Sequence, residues 1–445
     1  MYAAAAGPRL LEPLFGDAEM ALVFSDEQAV RAMLQVEAAL AQAQARLGVI
    51  PAAAGAQIAA GAAALQPDFE RLQAGTEKAG LPVVALVAQL RAQVGEEAAG
   101  YVHWGATSQD VVDTALVLQM RAGLALLEGR LARLSRALAR LARRHRDTLM
   151  AARTRSQQAL PMPFGLKVAG WLAPLLRHRQ RLAQLRQRAL VVQFGGAAGT
   201  LAALGDDGLA VQEALAAGLE LAVPLMPWHT QRDTVAEVAG WLSLVSGSLA
   251  KMAQDVLLLA QTEVGEVRET AGRARGGSST MPQKQNPVVS ELILAAARSN
   301  AALLAAVHQA QVQEHERGTH GWEMEWLNLP PMFALSAAAL EHALFLAENL
   351  VVDEARMQAN VRASNGLILA EAISFALAPH LGRAAAKALV REACRVVQAE
   401  GRHLVDVVAE RTDAPVNWQA LREEAGYFGS AGVFIGRVLG EVEEG

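Results

Sequence analysis

The sequence predicts an all-α protein organised around a long central helical bundle, and three observations carry that expectation. Hydrophobic residues make up 52% of the 445-residue chain yet aromatics only 4%, so Ala, Leu and Val supply the apolar content. Ala and Leu favour helices, and few segments show the β-branched, period-two alternation of a half-buried strand. Several long stretches instead place apolar side chains at helical spacing, joined by short connections, which is the pattern of a bundle.

In chain order, the first clear helix starts at Ser25-Asp26, either of which can cap it, and runs to about Leu47, where Gly48 and Pro51 stop it. A less regular helical stretch fills residues 52–98, broken near Gly80 and Pro82. Residues 101–110 are polar and turn-rich. From 111 to 146 no proline interrupts a run with Leu116, Met120, Gly123, Leu127, Leu131 and Leu134 at helical spacing. At 1.5 Å per residue this helix is on the order of 50 Å long. Pro161 and Pro163 break the next approach. Further long helices are expected over 164–192, 230–263, 287–312 and 333–350, the first of them ended by Gly195-Gly196-Ala-Ala-Gly199. Their Ala-rich circumference points to burial beyond one stripe, including burial against other subunits. From Val351 the helices shorten. The expected division is an N-terminal helical domain over 1–110, the long-helix bundle over 111–350 and a C-terminal helical domain over 351–445.

Composition also excludes several functions. The formal charge is -5, from 40 basic and 45 acidic residues, which gives no reason to expect nucleic acid or an anionic membrane as partner. Cys394 is the single cysteine, so an intramolecular disulfide is impossible and a cysteine-based zinc site is not expected. No histidine pair has metal-ligand spacing with a supporting carboxylate, so no metal site is expected. The N-terminus lacks a basic region followed by an apolar stretch, and no charge-free run reaches the roughly 18 apolar residues of a membrane span. A soluble, cytoplasmic protein is the expectation.

The chemistry is concentrated in Arg273-Ala-Arg-Gly-Gly-Ser-Ser-Thr-Met-Pro-Gln-Lys-Gln-Asn-Pro287. Two glycines precede two serines, a lysine and an asparagine follow, and a helix opens at Pro287, with Asn286 suited to its cap. By composition alone this is either an ordinary flexible loop or one that holds an anion with backbone N–H groups, Lys284 and the positive end of the helix. As a string, residues 277–287 resemble the signature loop of the fumarase/aspartase superfamily, G-S-S-x-M-P-x-K-x-N-P. His103-Trp-Gly-Ala-Thr-Ser-Gln-Asp-Val-Val-Asp-Thr114 resembles the first signature block, H-x-G-x-T-S-x-D. Arg153-Thr-Arg-Ser-Gln-Gln-Ala-Leu-Pro161 resembles the second, G-R-T-H-x-Q-x-A-x-P, without its leading glycine. Residues 164–171, 193–200, 227–233 and 313–317 are similar to the carboxymuconate cycloisomerase branch.

The resemblance implies a three-domain, all-α fold that assembles as a homotetramer through a helical core, with each active site shared between three subunits. It implies a small polycarboxylate substrate, no cofactor, and chemistry at a carbon beside a carboxylate, through an aci-carboxylate dianion. The catalytic serine corresponds to Ser278, whose hydroxyl must be made more acidic by nearby positive charge and backbone donors. Lys284 and Asn286 carry over as carboxylate ligands, with Ser279 and Met281 in the same substrate-binding loop. Thr107 and Ser108 carry over as carboxylate-binding hydroxyls, Gln157 joins them, and Arg317 corresponds to a substrate-holding arginine.

The departure from the pattern is Arg155. Most lyases of the superfamily place a histidine there, supported by a glutamate at the position of Glu291, to protonate the leaving group; the cycloisomerase branch carries tryptophan. Arginine cannot act as a general acid near neutral pH, because its pKa stays above about 12. Lactonisation, in which a substrate carboxylate adds to a double bond and nothing leaves, escapes that demand. Arg155 is then either an added carboxylate clamp or the ion-pair partner of Glu291. His103 either contacts substrate or holds structure; the same alternatives stand for His229, His315 and His320. The leading expectation is a cycloisomerase acting on 3-carboxy-cis,cis-muconate. The rivals are a β-elimination lyase on a substituted succinate, such as adenylosuccinate or nitrosuccinate, and a non-catalytic helical scaffold.

Overall fold

The computed structural model describes residues 9–270, 276–277, 280–281 and 283–443. It is all-α in class, with two small two-stranded ribbons among the described residues. Two short turns, α1 (Glu12–Phe15) and α2 (Ala18–Val23), lead into α3 (Asp26–Arg46). Ser25 sets the start of α3, its hydroxyl accepting from Gln28 N at 3.2 Å. The irregular stretch that follows divides into α4 (Ala52–Ala64), α5 (Phe69–Ala79), α6 (Val83–Gln93) and α7 (Glu96–Ala99). Asp68 caps α5 and Gly80, at φ 78°, ends it, as the turn chemistry predicts.

The long helices are α8 (Ser108–Arg144), α9 (Phe164–Ala189), α11 (Asp233–Leu259), α12 (Val288–Ala310) and α13 (Gly321–Asn349), with the shorter α10 (Gly208–Leu219) between α9 and α11. Strands β1 (Leu149–Thr154) and β2 (Gln157–Pro163) fall between α8 and α9, and β3 (Val267–Arg268) pairs antiparallel with β4 (Val351–Val352). The chain closes with α14 (Glu354–Arg362), α15 (Ala370–Leu381), α16 (Arg383–Glu400), α17 (Leu404–Ala409), α18 (Trp418–Arg422) and α19 (Ala431–Glu443).

Two elements differ from the sequence reading. Prolines 161 and 163 do not merely interrupt; they sit in β2, which pairs with β1 in a two-stranded ribbon. Such a ribbon has only edge strands, where a missing N–H costs little. Helix α13 begins at Gly321 rather than Phe333 and carries Pro330 and Pro331 inside it. Leu329, Met332 and Phe333 are fully buried there, and this packing outweighs the two helix hydrogen bonds that the prolines cannot donate.

Contacts gather the chain into two compact units. The first comprises Met1–Arg130, His178–Gly247 and Ala295–Leu340. Within it Phe24 lies against Phe333 with ring centroids 4.9 Å apart. Asn300 of α12 donates to Ser246 of α11 (2.7 Å) and Ser336 of α13 (2.9 Å), a buried polar pin that fixes the register of three apolar helices. The second unit comprises Leu131–Arg177, Ser248–Leu294 and Glu341–Gly445. Its core joins Ala151 of β1 to Val361, Ile373, Leu377, Val390, Val397, Leu404 and Val408 of the closing helices.

By length and composition alone, α11, α12 and α13 are each apolar enough to cross a bilayer. Only 33% of the most apolar window of α12 is buried in the single chain, against 72% for α13.

Candidate active site

In the first unit the site is organised by a buried carboxylate. The turn before α8 uses positive φ at His103 (65°) and Gly105 (71°), so the chain doubles back before Thr107 starts the helix. Asp110, three residues on, accepts from Thr107 N at 3.0 Å, the reciprocal half of a capping box. The same carboxylate accepts from Gly195 N (3.0 Å), Gly196 N (2.9 Å), Gln193 Nε2 (3.1 Å) and His229 Nε2 (2.7 Å). It is 1% exposed, so five donors stand in for water around one negative charge. Gly195 has to be glycine: a Cβ there would lie 2.7 Å from Pro227 Cβ and 2.9 Å from His229 Cε1.

One turn later Asp113, fully buried, accepts from both terminal nitrogens of Arg232 (2.7 and 3.0 Å), from Trp322 Nε1 (2.8 Å) and from Gln109 Nε2 (3.1 Å). Arg232 also forks onto Glu325 of α13 and lies 4.8 Å from the Trp228 ring centroid. Burial works against its charge, yet Asp113 and Glu325 outweigh that and hold the guanidinium ionised. Burial pushes the Glu325 carboxyl up, Arg232 opposes it, and the nearby Asp113 adds to the rise. These residues build a rigid frame under the first block.

On this frame stand the expected residues. Thr107 and Ser108 occupy the start of α8, half-buried. The His103 ring donates from Nδ1 to buried Glu37 at 2.6 Å, a structural bond that fixes the ring beside the block. Arg317 donates from Nη2 to Gly196 O (3.0 Å) and Ala197 O (3.1 Å). It is thus tied to the glycine loop whose N–H groups are held by Asp110. His229 is committed to Asp110, which gives it a structural role within this chain.

In the second unit the β1–β2 hairpin turns through Arg155 (φ 48°) and Ser156 (φ 64°), the positive pair of a two-residue type I′ turn. Arg155 and Gln157 therefore project from an exposed tip. The base is fixed by Arg153, whose fork grips fully buried Glu266 at 2.6 and 2.8 Å. Burial is the largest influence on Lys167, at the start of α9, and holds its ammonium below its ordinary pKa; Asp255 opposes this and Lys251 adds to it.

Of the signature loop, Ser278 and Ser279 lie outside the described residues. Its described ends are drawn together: Gly277 bridges Gln285, Asn286 N donates to Gly276 O at 2.9 Å, and Lys284 N donates to Met281 O at 3.0 Å. Gly276 adopts φ 78°, and a Cβ there would fall 2.3 Å from Asn286 O. Lys284 and Met281 are exposed, Asn286 half-buried. The cap of α12 is not Asn286. Glu269 accepts from Val289 N (3.0 Å), Ser290 N (2.9 Å) and Ser290 Oγ (2.7 Å), so this carboxylate already occupies the positive helix end expected to serve a substrate anion.

Each unit thus groups its own share of the predicted residues: His103, Thr107, Ser108 and Arg317 in the first, and Arg155, Gln157, Met281, Lys284 and Asn286 in the second. Asp110 closes the first signature block but was given no role from sequence, and Asp113, Glu266, Glu269 and Glu325 were not singled out. A Thr-x-x-Asp capping pattern signals Asp110; for Glu325 and Glu266 there is no local signal. Among the described residues no group of three or more His, Cys, Asp or Glu is arranged to hold a metal ion.

Comparison with known proteins places this arrangement. A family model described as lyase matches residues 17–299, and one described as adenylosuccinate lyase C-terminus matches 366–438. The chain is 48% identical over 441 residues to a 3-carboxy-cis,cis-muconate cycloisomerase of Pseudomonas aeruginosa, covering 97% of this chain and 96% of that protein. It is 46% identical to the enzyme of that name from Bradyrhizobium diazoefficiens, covering 98% of each. Among solved structures, the 3-carboxy-cis,cis-muconate lactonizing enzyme of Pseudomonas putida superposes with a TM-score of 0.91 at 42% identity, covering 98% of this chain and 99% of that one.

Proposed function

The chain belongs to the lyase family of the fumarase/aspartase superfamily, and from that premise we propose that it is a cycloisomerase converting 3-carboxy-cis,cis-muconate to 4-carboxymuconolactone. The observation that carries this reading is the likeness to cycloisomerases along nearly the whole chain. The exposed arginine at the hairpin tip supports it. A permanent cation at position 155 cannot protonate a leaving group, and lactonisation has none.

In this mechanism one substrate carboxylate oxygen attacks a diene carbon. The C–O bond forms, the double bond opens towards the carbon beside another carboxylate, and that carboxylate becomes an aci-carboxylate dianion. Lys284 and Asn286 hold the growing charge, and Ser278 supplies the proton to carbon and regains one from solvent, so the lactone forms with nothing released. Thr107, Ser108, Gln157 and Arg317 bind the remaining carboxylates, with His103, Ser279 and Met281 lining the same site; Arg155 adds a cation suited to a polyanionic substrate. No cofactor takes part. The reaction belongs to protocatechuate degradation through the β-ketoadipate route, in the cytoplasm.

The working form is a homotetramer with each site assembled from three subunits. Two features support this: the block residues are divided between two compact units, and α12 keeps most of its apolar window uncovered in the single chain. A division at residues 110 and 350, with the long helices forming the shared core, belongs to the same proposal.

The test is ultraviolet absorbance of the purified protein with 3-carboxy-cis,cis-muconate, following loss of the conjugated diene. Rapid loss is expected, and Ser278→Ala should abolish it while keeping the oligomer. No loss beside an active control enzyme would overturn the reading and direct attention to nitrosuccinate and adenylosuccinate.

A further inference from the structure

Between α11 and the signature loop runs a short strap, residues 266–269, whose two glutamates face different parts of the second unit. Its backbone is held on both sides. Glu266 N donates to Leu259 O at 2.9 Å, β3 pairs with β4, and Asp353 N donates to Glu266 O at 3.0 Å. Glu266, fully buried, accepts from Arg153 Nη1 (2.8 Å) and Nη2 (2.6 Å) and from Asn360 Nδ2 (2.8 Å). Glu269, at the far end of β3, accepts the first-turn donors of α12 from Val289 and Ser290.

What each carboxylate grips gives the strap its meaning. Arg153 stands two residues before Arg155 on β1, just past the register shift between Ala151 and Arg153. Fixing its guanidinium fixes the orientation of the hairpin tip. Val289 and Ser290 follow the exit of the signature loop, three and four residues after Asn286. Fixing their N–H groups fixes where Lys284 and Asn286 leave the loop.

We propose that Glu266 and Glu269 are positioning residues: the strap sets the hairpin tip that carries Arg155 and Gln157, and the take-off of the helix behind Lys284 and Asn286, from one rigid segment. The inference rests on the function proposed above, in which both groups meet the same polycarboxylate. A carboxylate that charges neither substrate nor proton transfer still controls rate, because displacing a catalytic group by about 1 Å can cost a hundredfold. The negative charge at the head of α12 also means that substrate anion is held by Lys284 and the loop, with the helix end already neutralised.

The experiment compares wild type with Glu269→Ala, Glu269→Gln and Glu266→Gln in diene-loss kinetics, oligomeric state, thermal melting and amide hydrogen exchange. Positioning predicts that Glu269→Ala lowers kcat by roughly ten- to a hundredfold with KM little changed and the assembly intact. Exchange should rise in 288–294, and Glu269→Gln should recover part of kcat because an amide oxygen in the place of Oε1 still accepts from Ser290 N and Ser290 Oγ. Glu266→Gln should raise KM and speed exchange in 149–163. Because Glu266→Gln leaves Arg153 without its counter-charge and can unfold the protein, Glu269→Ala and Glu269→Gln carry the decision. Kinetic constants within about twofold of wild type despite faster exchange would overturn the proposal, as would a fall in kcat matched by lost assembly. If wild type does not turn over this substrate, the functional reading fails separately; unchanged exchange then overturns the positioning claim, and faster exchange in 288–294 supports it.

Discussion

Replacing Asp110 with Asn tests the buried carboxylate at the head of α8 with almost no change of shape. In wild type Oδ1 accepts from Gly195 N, Gln193 Nε2 and His229 Nε2, and Oδ2 accepts from Thr107 N and Gly196 N. An asparagine can keep its carbonyl oxygen on the Oδ1 side, but its NH₂ then faces two backbone donors. Each buried donor left without an acceptor costs about 1–3 kcal/mol, so the loss expected is roughly 2–6 kcal/mol. The assay is urea unfolding at fixed protein concentration, followed by fluorescence of the seven tryptophans, with the shift in midpoint taken at constant slope. Thr107 and the loop bound by Arg317 lose a common anchor, so kcat/KM should fall by about a hundredfold in protein that remains folded. A change under about 1 kcal/mol with kcat/KM unaltered would refute the reasoning, since satisfied donors would then matter little here.

Gly276→Ala should remove most activity with little effect on melting, because its Cβ would meet Asn286 O at 2.3 Å and push apart the ends of the loop; a wild-type kcat would show that this closure is not needed. Arg155→Gln should raise KM by about tenfold, the worth of one charge-assisted hydrogen bond, and leave melting unchanged at this exposed turn. Equal KM for wild type and variant would remove the clamp role. Stability should fall on acidification. Burial holds His145 below its ordinary 6.5, Glu354 opposing and Arg144 adding to it, and burial and then Arg422 do the same for His403. The unfolded chain takes up these protons first, so stability is full above 6.5 and declines as pH drops through the lowered folded values. Urea midpoints between about pH 8 and pH 5 should show this, with a shallower decline in His145→Gln and His403→Gln; an unchanged decline would assign it to other groups.

Much of this molecule was legible from local rules. The start of α3 follows from Ser25 and the end of α5 from Gly80, because caps are decided within one turn of chain. The three blocks and their departure at Arg155 were readable because the residue types and spacings are the chemistry. Where the reading failed, tertiary packing had overruled a local signal. The fifth long helix was expected only from 333, yet α13 runs on continuously from Gly321 through Pro330 and Pro331, with Leu329, Met332 and Phe333 fully buried. Asn286 read as the cap of α12, yet Glu269, seventeen positions earlier, takes the donors.

The sequence by itself determined the helical class, the family, the residues fit to bind polycarboxylates and the absence of a histidine acid at 155. Those properties depend on side-chain chemistry and on spacings of a few residues. Only the tertiary structure decided what holds those residues in place. Asp110 gathers a helix start, a glycine loop and His229, and Arg232 joins Asp113, 119 positions before it, to Glu325, 93 positions after it. Glu266 reaches Arg153 across 113 positions. A carboxylate can be buried only where the fold brings donors to it, and which distant donors arrive is set by how helices pack, which no stretch of sequence records locally.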